Sequence, residues 1–171
     1  MTMIDSLTAE FQHEAQTTRK HLERLTEDSL EWRPHEKSFT TIELASHIVD
    51  LLGFADPIFN SNELDIDPAT YKEFLASSLT DLLKHFDEAA AKCAAILSGV
   101  DDAALTQSWQ LKVKGRSLFE KPRAAVVRDF ILSHMIHHRG QLSVYLRLLN
   151  IPVPGSYGPS ADDLESMKAK S

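Results

Sequence analysis

Three histidines stand where aliphatic side chains are expected. Within residues 122–150, PRAAVVRDFILSHMIHHRGQLSVYLRLLN, a row at steps of three or four runs Val127, Ile131, His134, His138, Leu142, Tyr145, Leu149. That is the period of a helix with one face toward a core. His134 and His138 are four residues apart, so they point about 40° apart, at roughly 100° per residue, on one face. A second row, Leu44, His47, Leu51, Phe54, Ile58, carries one more. Burying a polar ring without a partner is unfavourable. Such residues are either satisfied by hydrogen bonds or given a metal. An i, i+4 pair presents a metal with two nitrogens from one helix face, and His47 can add a third. Three neutral imidazoles leave a coordination position open for water or substrate, the catalytic rather than the structural pattern. Zinc, nickel, iron and manganese all suit this donor set.

His137 competes with His138 as an i, i+3 ligand, but His138 continues the apolar row and His137 drifts to its edge. Asp50, three after His47, and Gln141, three after His138, are candidates to orient the rings by hydrogen bonds. No general base stands out, so the catalytic residues stay open. His13, His21, His35 and His85 sit among polar residues and read as solvated surface. Cys93 shares its row with Ala90, Leu97 and Phe86 and reads as a buried, inert thiol. Lys112, Lys114, Arg116, Lys121 and Arg123 form a basic group. It fits an anionic substrate and a solvated basic edge equally well.

The elements that must carry these side chains follow from periodicity and stop signals. Apolar spacing from Ile4 to Leu25 predicts a first helix over about 3–30, ended by the loop around Pro34. Thr40 to Glu43 is a capping box that opens a second helix over about 41–61. Residues 60–68, NSNELDIDP, read as a loop or crossover. A second box, Thr70 to Glu73, predicts a third helix over about 70–98, stopped at Gly99. Alternation of Trp109, Leu111 and Val113 predicts a small β-hairpin over about 106–119, turning at Lys114-Gly115-Arg116. The fourth helix, about 122–150, begins with Pro122 at its first position and stops at Asn150 before Pro152. The tail is turn-prone, with DDLESMKAKS as a last turn of helix or a frayed end. The fold class is therefore all-α: a four-helix bundle with a hairpin between helices 3 and 4, forming one domain over 1–171.

Composition narrows the function. A net charge of −7 supplies no basic stripe, which argues against nucleic acid as a partner. The first residues lack the basic and apolar regions of a signal peptide, and no apolar run reaches the ~20 residues that span a bilayer. One cysteine excludes an internal disulfide and fits a reducing compartment. A cytoplasmic protein acting on a small molecule, with no nucleic acid and no membrane, is the expectation.

The stretch SHMIHHRGQLSVYLRLLNIPVPGSYGPS resembles the C-terminal signature of the DinB/YfiT-like proteins. In that signature His-x-x-x-His is followed by Arg-Gly-Gln, an apolar helix and a Tyr-Gly-Pro-Ser end. Trp32, Pro34, Ser38, Glu43, Leu44 and His47 match as well, so the resemblance spans most of the chain. It implies an up-down-down-up four-helix bundle, with 60–68 as the long crossover. It implies a divalent metal, zinc or nickel foremost, on His47, His134 and His138, and a homodimer. Some such proteins are transferases or isomerases that use a low-molecular-weight thiol such as bacillithiol, mycothiol or glutathione. Others are described as metal-dependent hydrolases or have no established activity, and a non-catalytic metal- or ligand-binding bundle remains the rival. Asn150 stands where glycine is commoner in the family and tolerates the same left-handed backbone.

Overall fold

In the computed structural model, which describes residues 1–170, the chain is mostly helical with one small sheet. Helix α1 (Met3–Leu22) opens on a capping box between Thr2 and Asp5. It ends eight residues before the expected 30. Leu25 and Leu30 still reach the core, but a turn and a short 3₁₀ helix (Glu27–Ser29) deliver them. Thr40 and Glu43 cap α2 (Thr41–Gly53) reciprocally, as the sequence pattern demands. The expected single helix to residue 61 is broken at Phe54 and resumes as α3 (Ala55–Asn60). Pro57 explains the break. Its ring lacks an N–H and would clash with the carbonyl four residues back, at Gly53, in a continuous helix.

Residues 60–68 contain strand β1 (Glu63–Ile66) rather than a plain loop. The third long helix, α4 (Leu79–Ser98), starts nine residues after the expected 70. Its cap is Ser78, whose hydroxyl accepts the Asp81 N–H, and the Thr70–Glu73 box does not form. The Asp67 carbonyl accepts the Thr70 and Tyr71 N–H groups instead, and tertiary partners hold the residues that follow. Asp50 accepts from the Tyr71 hydroxyl at 2.8 Å and the Phe74 N–H at 3.5 Å, and Ser46 Oγ accepts the Ala76 N–H at 3.0 Å.

A short helix α5 (Asp102–Thr106) leads into strands β2 (Ser108–Val113) and β3 (Arg116–Pro122). The hairpin turns at Lys114 and Gly115, both at positive φ (49° and 76°), the geometry that suits a two-residue connection. The sheet has three strands in the order β1-β2-β3: the expected hairpin forms as β2 and β3, and β1, parallel to β2, adds a strand that the all-α reading with a lone hairpin did not include. Non-local pairing of residues 63–66 with 110–113 leaves no local sequence signal.

Pro122 closes β3 and sits just before the last long helix rather than inside it. That helix runs as α6 (Arg123–Val126), a π-helical stretch (Val127–Ser133) and α7 (His134–Leu148). Asn150, at φ 57°, ends it as expected. The tail forms α8 (Ala161–Ala169), capped by Ser160 and Asp163. Helices α1 and α2 each pack against both α4 and α7. Their shared core includes Leu7, Phe11, Leu22, Ile48, Leu82, Phe86, Leu142 and Leu146.

Candidate metal centre

His47 comes from the middle of α2; His134 and His138 lie in the first two turns of α7. Packing of α2 on α7 brings the three rings together. Ring centroids are 5.2 Å apart for His47 and His134, 4.8 Å for His47 and His138, and 4.7 Å for His134 and His138. One ligand nitrogen from each lies within 4.8 Å of the others. Two metal–nitrogen bonds of about 2.0–2.1 Å span at most about 4.2 Å, so small ring rotations close the set on one ion. The π-helical stretch ends where His134 begins, a device that recurs at functional sites. It sets Phe130 against Phe54, with ring centroids 5.3 Å apart, beside the histidines.

Hydrogen bonding leaves this cluster partly unsatisfied. His138 Nδ1 is 2.8 Å from Gln141 Oε1; because a carboxamide oxygen only accepts, Nδ1 carries the proton and donates. Nε2 is then an unprotonated acceptor, and it is buried with no partner. His47 Nδ1 is also buried without a hydrogen bond, on the side of its ring that the Glu73 carboxylate approaches. A buried acceptor with no partner, such as His138 Nε2, is rare in folded proteins and suits an ion. Burial, reinforced by the neighbouring His138, His47 and His137, pushes His134 down to about 4, and burial also lowers His138. Both rings are therefore neutral at pH 7, the state that binds a metal. The donor set and the orphaned His138 Nε2 fit a divalent ion.

Beside His47 and His134 opens a cavity of about 390 Å³. Leu51, Phe54, Ile66 and Phe130 form its apolar walls, and Asp50, Tyr71 and Glu73 its polar side. Glu73 Oε2 lies 3.8 Å from His47 Nδ1. Asp50, read as a partner for His47, is instead bound to Tyr71 and Phe74. Burial and that hydrogen bond push the Tyr71 phenol up, so it stays a neutral donor. His137 is exposed and lies outside the three-ring set.

Sequence reasoning missed Tyr71, Glu73 and Phe130. Glu73 was hidden by the Thr70–Glu73 spacing, which imitates a cap; the true cap, Ser78 with Asp81, has the same spacing and lay in plain view. His21 is corrected from surface to fully buried, with Nδ1 2.9 Å from the Thr17 carbonyl. Most of the basic group is neutralised. Lys112 pairs with Glu63, Lys114 with Asp67 and Lys121 with Asp129, while Arg123 is buried against Gln107, Ser61 and Asn62. Cys93 is buried, and burial pushes its thiol up to about 12.

The family model described as DinB family matches residues 1–170. The chain belongs to the DinB family. The uncharacterized protein YrdA of Bacillus subtilis is 26% identical over 164 residues, covering 94% of this chain and 91% of its own. A DinB-like protein from Bacillus cereus superposes with a TM-score of 0.71 at 22% identity, over 90% of this chain and 97% of that one. The DinB-like protein YjoA from Bacillus subtilis gives 0.70 at 22% identity, over 91% and 99%. At that identity the two structures establish the shared DinB fold. Among the described residues no helix is long and apolar enough to cross a membrane.

Proposed function

We propose that this DinB-family chain is a divalent-metal-dependent enzyme built on an up-down-down-up four-helix bundle. His47, His134 and His138 hold the metal, with zinc or nickel first among candidates, and the reaction is the transfer of a low-molecular-weight thiol to a small electrophile. The observation that carries this reading is the buried, unpartnered His138 Nε2 within a three-histidine cluster whose ligand nitrogens lie within 4.8 Å of one another and which borders an open cavity. A structural zinc site has four protein ligands and is closed; three histidines beside a cavity leave room for a reactant. Bound there, the metal lowers the pKa of a coordinated thiol or water, so that a nucleophile exists at neutral pH.

The chain's own residues do the rest. Gln141 fixes the tautomer and plane of His138. Leu51, Phe54, Ile66 and Phe130 hold the apolar body of a substrate and exclude water from it. Asp50 and Glu73 edge the cavity and no Lys or Arg lines it, which favours neutral or cationic substrates over anionic ones. A second reading, metal-dependent hydrolysis, draws on Glu73, a carboxylate at the cavity able to accept a proton from water.

The test is elemental analysis of the purified protein, then turnover of the zinc- and nickel-loaded forms. Assays pair common cellular thiols with neutral electrophiles, and run esters and amides alongside. Thiol consumption that disappears on chelation and in His134→Ala supports transfer. Turnover of esters or amides without thiol replaces it with hydrolysis. Full metal loading with no turnover in any assay leaves a binding protein.

A further inference from the structure

We propose that Glu73 is a positioning residue of the three-histidine site: its carboxylate accepts the Nδ1–H of His47 and so presents the other ring nitrogen to the metal. The inference rests on reading the cluster as a metal centre.

His138 shows the pattern within the same site. Gln141 takes its Nδ1–H at 2.8 Å, and the opposite nitrogen is left buried and free to ligate. His47 has the counterpart problem: its Nδ1 is buried with no hydrogen-bond partner. Glu73 Oε2 stands 3.8 Å from that atom. The Glu73 side chain is 56% exposed, so a rotamer adjustment of roughly 1 Å brings it to hydrogen-bond distance.

The chain around Glu73 is held in place by the helix that carries His47. Tyr71 and Phe74 bind Asp50, and Ala76 binds Ser46. Ser46 and Asp50 flank His47 on α2 and fold the segment back over their own histidine. That segment has a capping pattern and forms no helix; a turn on the Asp67 carbonyl and these contacts hold it instead. No lysine or arginine lines the cavity to claim the carboxylate. A metal-bound imidazole usually gives its second N–H to a carboxylate or carbonyl oxygen, and loss of that partner weakens metal affinity about 10–100-fold.

The test uses zinc, with affinity measured by chelator competition on the full chain for wild type, Glu73→Ala and Glu73→Gln. Metal-free unfolding midpoints are measured in parallel. Glu73→Ala is expected to weaken zinc binding about 10–100-fold. Glu73→Gln retains a carbonyl oxygen that accepts the same N–H, as Gln141 does for His138, and is expected to stay within about threefold of wild type. Both metal-free midpoints stay at the wild-type value. Wild-type affinity in Glu73→Ala overturns the role. An equal loss in Glu73→Gln also overturns it, because the negative charge would then be the requirement, as for a direct ligand. A wild-type chain that takes up no zinc or nickel overturns the metal reading itself, a separate and distinguishable failure.

Discussion

His138 and Arg139 are neighbours in the chain and both are buried, at 8% and 2% exposure, yet their surroundings are opposites. Arg139 is saturated. Its guanidinium donates to Glu14 Oε2 at 2.5 Å, the Glu14 carbonyl at 3.3 Å, Thr18 Oγ1 at 3.3 Å and the Tyr157 hydroxyl at 2.8 Å. Tyr157 in turn donates to Glu14 at 3.1 Å. Facing the other way, His138 has one nitrogen satisfied by Gln141 and the other by nothing in the chain. The fold evidently can supply partners for a buried polar group one residue away. Where it does not, three imidazoles converge on the gap. A paired buried cluster locks the C-terminal segment to α1 and α7; a half-paired one leaves the acceptor that the proposed metal would use.

The contrast breaks most easily at the saturated side. Arg139→Met leaves the Glu14 carboxylate buried without its counter-charge and is expected to destabilise the fold by about 3–5 kcal/mol, read from urea unfolding. A loss below about 1 kcal/mol would mean the network is decorative. At the unsaturated side, His138→Ala is expected to lower zinc affinity more than about 100-fold, beyond the range of an outer partner. It should also lower the metal-free unfolding midpoint, because the buried ring and its bond to Gln141 are lost together, so affinity is compared at temperatures where both proteins are folded. Gln141→Ala is a milder version: affinity falls about 10–100-fold because the His138 ring loses the acceptor that sets its tautomer. Isothermal titration with zinc separates the two.

The smallest effect is a pH slope at His21, beside the saturated cluster. Burial is the main reason that this imidazole titrates below its ordinary value, with Arg139 adding to the effect. The unfolded chain takes up its proton near pH 6.5 while the fold resists it. His21 therefore contributes full stability above about 6.5, and that contribution declines as pH falls from there toward the lower folded value. His21→Asn keeps a donor for the Thr17 carbonyl and cannot titrate. Its unfolding free energy should depend less steeply on pH just below 6.5 than that of wild type. Parallel slopes would remove His21 from the account.

Much of this was legible in residue order, and the reasons differ by element. The α2 start was readable because Thr40 and Glu43 satisfy each other within one turn, with no help from elsewhere. The hairpin turn was readable because Lys114-Gly115 is a local conformational demand. The Thr70–Glu73 box failed because the Asp67 carbonyl accepts the Thr70 and Tyr71 N–H groups in a turn, while Asp50 and Ser46, more than twenty residues away, take those of Phe74 and Ala76. Strand β1 was invisible because its partners are in β2, and His21 passed for surface because the segment that covers it comes from the far end of the chain.

Periodicity alone determined that His47, His134 and His138 lie on core-facing rows, since helical spacing is a property of consecutive residues. Where those rows meet, which nitrogens are left without partners, and that Glu73 swings over the site were decided only in three dimensions. Each depends on the packing of α2 against α7 and on the π-helical turn before His134, and no local spacing encodes the distance between two helices.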